Sequence, residues 1–479
     1  MVLKEVLKNI DCEIYGDCEI EVSELCHESG KAKEGSMFFC LKGTNIDGHD
    51  FALDAYKNGS NTIVTNKLLD LPKDVVQVLV KNTRETMSKS ACNFYRNAGK
   101  DMIIVSITGT NGKTTSTFML ASILKSAGFK VGVIGTNGII INGQKFESNM
   151  TTPDPILLQK TLKDMRDSGV QVVVMEMSAH ALELQKNSGL MSDIAVFTNL
   201  TQDHLDYFKT MKNYGEAKKR LFSSSSSKFA VLNMDDPFSN EIIKTIDIPY
   251  VTVSINKNSD LIAREIKHNE IGQEYILSCD GEEISIAINL DGKFNVSNSI
   301  GAIAAAKAIG VSNEAIVSGL KNLKQVSGRF NTFFVGGKKF VVDYAHTPDG
   351  LENILNAARE ILDPKGKLIS VFGCGGNRDA LKRPIMGEIS TRLADVTIIT
   401  SDNPRLENPI DIISQIEKGI NGGIYLIEPD RAKAIKLAYN IATLNDLIVV
   451  SGKGAEDYMD VQGKKVHYND GEVILGLGG

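Results

Sequence analysis

A loop rich in glycine and hydroxyl side chains follows an apolar run in the first quarter of the chain. Residues 103–108, IIVSIT, have the β-branched character of a buried strand, and GTNGKTT follows at 109–115, ahead of a segment with helical character. Glycines let backbone N–H groups approach phosphate oxygens, Lys113 supplies a positive charge, and a threonine hydroxyl can bind Mg²⁺. The strict GxxxxGK[ST] spacing would need glycine at Ile107, so the loop is a variant.

This arrangement predicts a nucleoside triphosphate site, and an ordinary strand-to-helix turn containing lysine and threonine is the alternative. The predicted nucleotide-binding residues of the loop are Gly109, Thr110, Asn111, Gly112, Lys113, Thr114 and Thr115.

Polar side chains also follow two later apolar runs. Glu176 closes VVVMEM, and Asp203 and His204 come shortly after IAVFTN. Because carboxyl ends of parallel strands meet at one edge of a sheet, we expect Glu176 and His204 to hold a divalent cation near the phosphates. A helix cap or a solvated side chain is the alternative at each position.

The elements that must position these residues form an alternating pattern. After the loop, the apolar runs VGVIGT, VVVMEMS, IAVFTNL and FAVLNMDD alternate with helical stretches, as in a parallel sheet covered on both faces. A second alternation begins near Gly328, where each apolar run is followed by a helical pattern and no GKT loop occurs. We predict an α/β protein with a mixed α/β domain at 1–98, a central P-loop domain at 99–326 and a Rossmann-like domain at 327–479.

Composition restricts the partners. The 479 residues carry a net charge of −6 and offer no basic block, which argues against nucleic acid. No apolar run approaches the ~18 residues of a membrane span, and the first residues lack the apolar core of a signal peptide. Seven cysteines without a CxxC pair indicate neither a disulfide framework nor a zinc site. We expect a cytoplasmic protein, acting as a monomer on small molecules.

Motifs spread over most of the chain resemble those of the Mur ligase family, and among its members the MurE branch, which adds the third amino acid of the peptidoglycan stem peptide. The resemblance extends from about residue 20 to about residue 470. Eleven motifs occur in the family's order: GTNGKTT, TTP at 151–153, MEMSAHALE, TNLTQDHLDYF, YGEAKK, LNMDD, FNVSNSIGAIAAA, SGRF, DYAHTPDGLE, DNPR and GKGAEDY.

The resemblance implies a reaction. Such ligases use ATP to convert the γ-carboxylate of D-Glu in UDP-MurNAc-L-Ala-D-Glu to an acyl phosphate, which an amine then attacks. It implies that Lys113 and its loop hold the β and γ phosphates, that Thr114 and Glu176 bind one Mg²⁺, and that His204 serves a second metal. ATP and Mg²⁺ are the expected cofactors.

Further roles follow only from the resemblance. Lys218 in YGEAKK aligns with a lysine that the family carries as a carbamate, N6-carboxylysine, which would make it an anionic metal ligand and the fourth catalytic residue beside Lys113, Glu176 and His204. From the sequence alone it would be a solvated helix face. The remaining ATP contacts implied are Asn295 and Asn298 at the adenine, and Arg329 and Asp343 from the third domain.

The UDP-muramoyl dipeptide contacts implied by the family are Ser29, Thr151, Thr152, Ser178 and Lys186. Several positions depart from the usual pattern. Glu28-Ser29-Gly30 stands where the family has Asp-Ser-Arg, Lys186 replaces an arginine, Asn331 replaces an acid, and Asp470-Gly471 replaces a DDR-like ending. These departures fit ordinary drift or an altered acceptor, and the intact catalytic set favours drift.

The acceptor residues implied by the resemblance are Arg378, Asp402, Asn403, Pro404, Arg405, Gly452 and Glu456. In the MurE branch, DNPR resembles the signature of meso-diaminopimelate users. A guanidinium fork on Arg405 can bind the extra carboxylate that distinguishes diaminopimelate from lysine, and Glu456 would take the distal ammonium. The alternatives are L-lysine or another amino acid as acceptor and, from another class, a regulatory P-loop NTPase.

Overall fold

Three sheets and a separate hairpin organise the computed structural model, which describes residues 1–43, 46–148, 150–268 and 272–478. The sheets lie within residues 13–79, 103–288 and 331–451, and we call the parts of the chain built around them the amino-terminal, central and carboxyl-terminal regions. Among the described residues, no helix has the length and apolar character needed to cross a membrane.

The amino-terminal sheet has the order β1-β5-β4-β3-β2, and only β1 is antiparallel to its neighbour. Its strands are β1 Glu13–Tyr15, β2 Glu24–Cys26, β3 Ser36–Phe39, β4 Thr62–Thr65 and β5 Val76–Leu79. Its helices are α1 Leu3–Val6, α2 Ala52–Lys57 and α3 Thr83–Phe94. Asn82 caps α3, because its side chain accepts from the N–H groups of Arg84 and Glu85.

The central sheet has eleven strands in the order β16-β15-β14-β13-β12-β11-β6-β10-β7-β8-β9. Its strands are β6 Ile103–Thr108, β7 Val131–Gly135, β8 Gly138–Ile141, β9 Gln144–Phe146, β10 Val172–Glu176, β11 Ile194–Phe197, β12 Ala230–Asn233, β13 Tyr250–Ser254, β14 Leu261–His268, β15 Gln273–Cys279 and β16 Glu282–Ile288. Its helices are α4 Lys113–Ser126, α5 Pro155–Asp167, α6 Ala179–Glu183, α7 Leu205–Phe208, α8 Met211–Lys219, α9 Phe238–Ile243, α10 Lys293–Ile309 and α11 Asn313–Asn322.

The carboxyl-terminal sheet has the order β17-β18-β22-β19-β20-β21 and is parallel except for β17. Its strands are β17 Asn331–Val335, β18 Lys338–Asp343, β19 Leu368–Phe372, β20 Val396–Ile399, β21 Tyr425–Ile427 and β22 Leu447–Ser451, and the hairpin is β23 Tyr458–Val461 with β24 Lys464–His467. Its helices are α12 Pro348–Glu360, α13 Lys382–Leu393, α14 Pro409–Glu417, α15 Arg431–Ile441 and α16 Asp470–Leu475.

The α/β class is confirmed, but the central sheet is not parallel throughout. Strands β7, β10, β6, β11, β12, β13 and β14 run parallel, whereas both edges end in antiparallel hairpins. Asn142-Gly143 and Asp280-Gly281 make the two-residue turns, and all four residues have positive φ, as a type I′ turn requires. The prediction that a helix follows every run of the third region is also wrong for β22, which leads into the β23–β24 hairpin.

Strand β6 lies at the centre of the parallel block, between β10 and β11. Glu176 is in register with Ile107, and Phe197 with Thr108, so the three strands end at the same level. Their apolar side chains are buried in two cores, one on each face of the sheet. The polar residues that follow these strands are therefore brought to one edge, which is where open α/β sheets bind ligands.

Candidate active site

The phosphate loop, residues 109–115, connects β6 to α4 and has little room for side chains on its glycines. Gly112 precedes α4 at φ +84°, and a Cβ there would overlap the Asn298 carboxamide. A Cβ on Gly109 would overlap the Thr198 hydroxyl. The backbone N–H groups at the start of α4 thus face a position that an anion can reach closely.

Two lysines converge on this loop. Lys113 Nζ donates to the carbonyls of Gly109 (3.0 Å) and Thr110 (2.8 Å), and Lys218 Nζ from α8 also donates to the Gly109 carbonyl (2.7 Å). Lys218 is only 1% exposed. Burial lowers the pKa of Lys113, and burial together with the Lys113 charge holds the pKa of Lys218 well below its usual value. Lys218 is therefore not a solvated helix face.

Hard oxygen ligands lie beside the loop. Glu176 Oε2 accepts from the hydroxyls of Thr114 (3.0 Å) and Thr136 (3.1 Å), and Glu176 is 1% exposed. Carboxylate and hydroxyl oxygens at this spacing suit Mg²⁺, which keeps several water or phosphate ligands of its own. Over the described residues there is no group of three or more His, Cys, Asp or Glu side chains placed to hold a metal. A Mg²⁺ here would take few ligands from the protein.

His204 lies on the loop after β11, in the left-handed region at φ +56°. Its Nε2 is 3.3 Å from Asp203 Oδ2, and burial lowers its pKa to about 3, so the ring is neutral near pH 7. A neutral imidazole is the form that binds metals.

Asp203 joins the central region to the carboxyl-terminal region. Its carboxylate lies 3.6 Å from His346 Nε2 and 3.5 Å from Lys382 Nζ, and both side chains come from the far side of the cleft. Burial raises the pKa of Asp203, but Lys382 and His346 outweigh it and hold that pKa well below its usual value. Asn111 makes a second bond between the regions, with Nδ2 donating to Asp349 Oδ2 (2.6 Å). The sequence motifs indicate no role for Lys382.

The four residues expected to contact ATP from outside the phosphate loop differ in their hydrogen-bond partners. Asn298 Nδ2 donates to Asn295 Oδ1 (3.2 Å), and both carboxamides are buried next to the phosphate loop. Arg329 Nη2 donates to the Thr114 hydroxyl (3.0 Å). Asp343 instead accepts two backbone N–H groups, those of Phe330 (2.8 Å) and Ala345 (2.7 Å), and burial raises its pKa. Asp343 therefore shapes the wall of the site in this structure.

A cleft of about 310 Å³ lies between the central and carboxyl-terminal regions. The predicted site residues that line it are Thr110, Asn111, Gly112, Lys113, Thr114, Thr115, Thr151, Glu176, Ser178, His204, Asn295, Asn298, Arg329, Asp343 and Arg378. The predicted residues outside its lining are Ser29, Gly109, Thr152, Lys186, Lys218, Asp402, Asn403, Pro404, Arg405, Gly452 and Glu456.

The expected UDP-muramoyl residues of the central region form one hydrogen-bonded group. Thr152 Oγ1 donates to the Glu176 carbonyl (2.9 Å) and accepts from the Ser178 N–H (3.0 Å), while Lys186 Nζ donates to the Thr152 carbonyl (3.1 Å). Thr151 shares a hydrogen bond with Thr136 (3.1 Å). Ser29 is separate from this group, in a short 3-10 helix of the amino-terminal region.

Five of the seven expected amino-acid residues lie on two loops, which we call the first acceptor loop (373–378) and the second acceptor loop (401–407), and the other two, Gly452 and Glu456, follow β22. Asn403 Nδ2 donates to Glu456 Oε2 (2.9 Å), and the buried Lys453 Nζ bonds to both side chains (3.0 and 2.9 Å). Arg405, at φ +51°, donates from Nη1 to the Gly376 carbonyl (2.8 Å). Arg378 is exposed at the tip of the first loop.

The remaining predicted residues of this region support the second acceptor loop. Asp402 is buried. Gly452 packs so closely against it that a Cβ on Gly452 would lie 2.6 Å from Asp402 Oδ2. Burial raises the pKa of Asp402, but the charges of Lys453 and Arg431 outweigh it and hold that pKa below its usual value. Pro404 is buried between Asn403 and Arg405.

One departure from the family pattern has a structural role. Asp470 forms a bidentate ion pair with Arg431, with Nε to Oδ1 at 2.8 Å and Nη2 to Oδ2 at 2.7 Å, and both side chains are 0% exposed. Arg431 also donates to the Ser451 carbonyl (2.9 Å) at the end of β22. Asp470 thus anchors α16 to the sheet.

Comparison with known proteins points to one family. Family models match in chain order: "Mur ligase family, catalytic domain" at 21–95, "Mur ligase middle domain" at 107–306 and "Mur ligase, glutamate ligase domain" at 328–454. The chain is 44% identical to the UDP-N-acetylmuramoyl-L-alanyl-D-glutamate–2,6-diaminopimelate ligase of Clostridium tetani, over 99% of this chain and 98% of that one. It is 42% identical to the protein of the same name from Bacillus cereus, over 95% and 93% of the two chains.

Solved structures agree as well. A structure of a UDP-N-acetylmuramoyl-L-alanyl-D-glutamate–2,6-diaminopimelate ligase matches with a TM-score of 0.71 and 30% identity, covering 100% of this chain and 98% of that one. MurF from Acinetobacter baumannii shares the fold, with a TM-score of 0.67 and 19% identity over 94% and 95% of the chains. The phosphate loop, the cleft it shares with a third α/β region and these relatives lead to one conclusion: the chain belongs to the Mur ligase family.

Proposed function

We propose that the protein is an ATP-dependent ligase that joins meso-2,6-diaminopimelate to the γ-carboxylate of D-Glu in UDP-N-acetylmuramoyl-L-Ala-D-Glu, during peptidoglycan biosynthesis. The observation that carries the proposal is that Lys113 of the phosphate loop and Arg378 of the first acceptor loop line one cleft. Residues 1–98, 99–326 and 327–479 would supply the UDP-muramoyl, ATP and amino-acid sites. A regulatory NTPase is not favoured, because relatives matched over nearly the whole chain are named as ligases.

Activation of the carboxylate depends on positioning and on charge. A carboxylate is a poor electrophile, so the γ phosphate must be transferred to it before the amine attacks. Lys113 and the N–H groups at the start of α4 would hold the phosphates in line with that carboxylate. Mg²⁺ bound at Thr114 and Glu176 would neutralise part of the phosphate charge. Arg329, which contacts Thr114, would add positive charge from the carboxyl-terminal region.

Lys218 is proposed to act as a carbamate. As an ammonium it would be buried beside Lys113, and within the described residues it forms no ion pair. A carbamate would reverse that charge, so that an anion rather than a second cation lies near Lys113 and the metal. The family resemblance and this burial support the modification together.

The acceptor would be held by charges at its far end. Arg405 has one guanidinium nitrogen on the Gly376 carbonyl, and among the described residues it makes no ion pair, which leaves donors for a carboxylate. Glu456 would receive the distal ammonium. Lysine lacks the distal carboxylate and would leave the guanidinium without a partner, which can cost on the order of 10⁴ in kcat/KM.

The test supplies UDP-MurNAc-L-Ala-D-Glu, ATP and Mg²⁺ with a panel of amino acids, and follows phosphate release and product mass. We expect a product only when the dipeptide and meso-diaminopimelate are both present. Arg405→Ala should lose most activity with diaminopimelate, so that the kcat/KM values for diaminopimelate and lysine become more similar. A wild-type enzyme that prefers L-lysine, or phosphate release that needs no amino acid, would overturn the proposal.

A further inference from the structure

An ion pair between the buried Arg383 and the partly exposed Glu407 ties the two acceptor loops together. Arg383, on α13, has a side chain that is 1% exposed and forms a bidentate pair with Glu407, with Nη1 to Oε2 at 2.8 Å and Nη2 to Oε1 at 3.0 Å. The same guanidinium donates to the Gly375 carbonyl (3.1 Å) and to Gln415 Oε1 (2.8 Å). One side chain therefore bonds to the first acceptor loop, to the second, and to α14.

The loops are also joined directly. The Asn377 N–H donates to Glu407 Oε1, the Leu406 N–H to Asn377 Oδ1 (3.0 Å), and the Gly376 N–H to the Asn403 carbonyl (2.9 Å). A Cβ on Gly376 would overlap the Pro404 carbonyl, so the two backbones are in van der Waals contact. The relative position of the loops is thus fixed in part by Glu407, which bonds to Arg383 and to Asn377.

Arg405 depends on this arrangement. Its guanidinium bonds to the Gly376 carbonyl, and its backbone is in the left-handed region, which is unfavourable for a non-glycine residue unless its surroundings hold it. The hairpin holds one side of it, since the Arg405 N–H donates to the Asp460 carbonyl (2.9 Å) and the Gln462 N–H to the Arg405 carbonyl (2.7 Å). Glu407 and Arg383 bond to Asn377 and Gly375, the two neighbours of the Gly376 whose carbonyl accepts from Arg405.

We propose that Arg383 and Glu407 are positioning residues for acceptor selectivity: together they set the place of the Arg405 guanidinium against the distal carboxylate of the amino acid. The inference rests on the proposed function. Position 383 needs a planar guanidinium because four acceptors surround it. The single ammonium of a lysine side chain at this position could not pair with both oxygens of the Glu407 carboxylate. The Glu407 carboxylate and the two terminal nitrogens of Arg383 are bonded to protein partners, so their effect would pass through Arg405.

The experiment compares Glu407→Gln and Arg383→Lys with wild type, and uses Arg392→Lys as the matched control. Arg392 lies on the same helix, is 47% exposed and pairs with Glu388 and Glu352 away from both loops. We expect Glu407→Gln to raise the KM for diaminopimelate about tenfold or more, since misplacement by about 1 Å can cost about 10²-fold. The KM values for ATP and the muramoyl dipeptide should stay within about twofold of wild type. The preference for diaminopimelate over lysine should fall.

A double-mutant cycle with Arg405→Ala decides the route of the effect. If Glu407 acts through Arg405, Glu407→Gln should change the KM for diaminopimelate less than about twofold in the Arg405→Ala background. If a folded Glu407→Gln variant keeps the wild-type KM for diaminopimelate and the wild-type preference over lysine, this inference is overturned but the proposed function is not. Equal fold-changes in both backgrounds, or equal losses for all three substrates, would do the same. A wild type that does not ligate diaminopimelate would overturn the proposed function and this inference with it.

Discussion

Replacing Lys382 by methionine would break the buried ion pair that joins the central and carboxyl-terminal regions. Lys382 Nζ is 3.5 Å from Asp203 Oδ1, and the side chains are 5% and 7% exposed. At an effective dielectric of about 20, two charges at this distance attract by about 4–5 kcal/mol. Methionine keeps the length of the side chain but leaves the carboxylate without its ammonium, and removing one partner of a buried pair costs about 3–5 kcal/mol.

The loss should favour separation of the two regions, because the partners lie on opposite sides of the cleft. About 3 kcal/mol would lower the ratio of closed to open molecules on the order of 100-fold, with kcat/KM falling by up to the same factor. Small-angle scattering with nucleotide and acceptor bound should show a larger radius for Lys382→Met than for wild type.

Lys293 and Glu360 provide a matched control for this variant. They form a pair between the same two regions at 3.8 Å, but their side chains are 63% and 36% exposed. Lys293→Met should cost less than about 1 kcal/mol. If Lys382→Met behaves like Lys293→Met in both kcat/KM and scattering, the ion pair does not hold the cleft closed.

Three further variants test other parts of the structure. Lys113→Ala should fold and form no acyl phosphate, since it removes the charge that would hold the phosphates and two hydrogen bonds to loop carbonyls; near wild-type turnover would contradict the phosphate-loop assignment. Lys218→Ala should be nearly inactive and partly restored by acetate. In the wild-type protein, equal activity at low and saturating bicarbonate, without carbamate mass on Lys218, would contradict the modification. Asp470→Asn leaves the buried Arg431 without its carboxylate, so calorimetry should show about 3–5 kcal/mol less stability and a Tm lower by about 10 °C; an unchanged Tm would refute this role.

The fold could be predicted largely because its signals are local. The strand, loop and helix around Lys113 are contiguous, and the ends of parallel strands place Glu176 and His204 at the same edge without any knowledge of packing. The antiparallel edges were missed although the sequence carries their signal. Asn142-Gly143 and Asp280-Gly281 are the dipeptides that favour two-residue hairpins, and each joins two short strands.

The ion pairs could not be predicted in the same way. Lys382-Arg383 follows a loop and begins a helix, where two basic residues are usually solvated. Both are buried because one meets Asp203 across the cleft and the other meets Glu407 in the second acceptor loop. Such contacts depend on how the regions and loops pack against one another, and the spacing of residues along the sequence does not predict that packing.

The contact between Gly376 and the Pro404 carbonyl limits the evolutionary routes by which this scaffold could change its amino-acid substrate. Any side chain at position 376 would push the two acceptor loops apart, and the close packing of Gly452 against Asp402 closes a second position. Changes that keep both backbones in place are left to side chains such as those of Arg378 and Arg405. A library intended to redirect the enzyme should therefore vary these two positions first and keep both glycines.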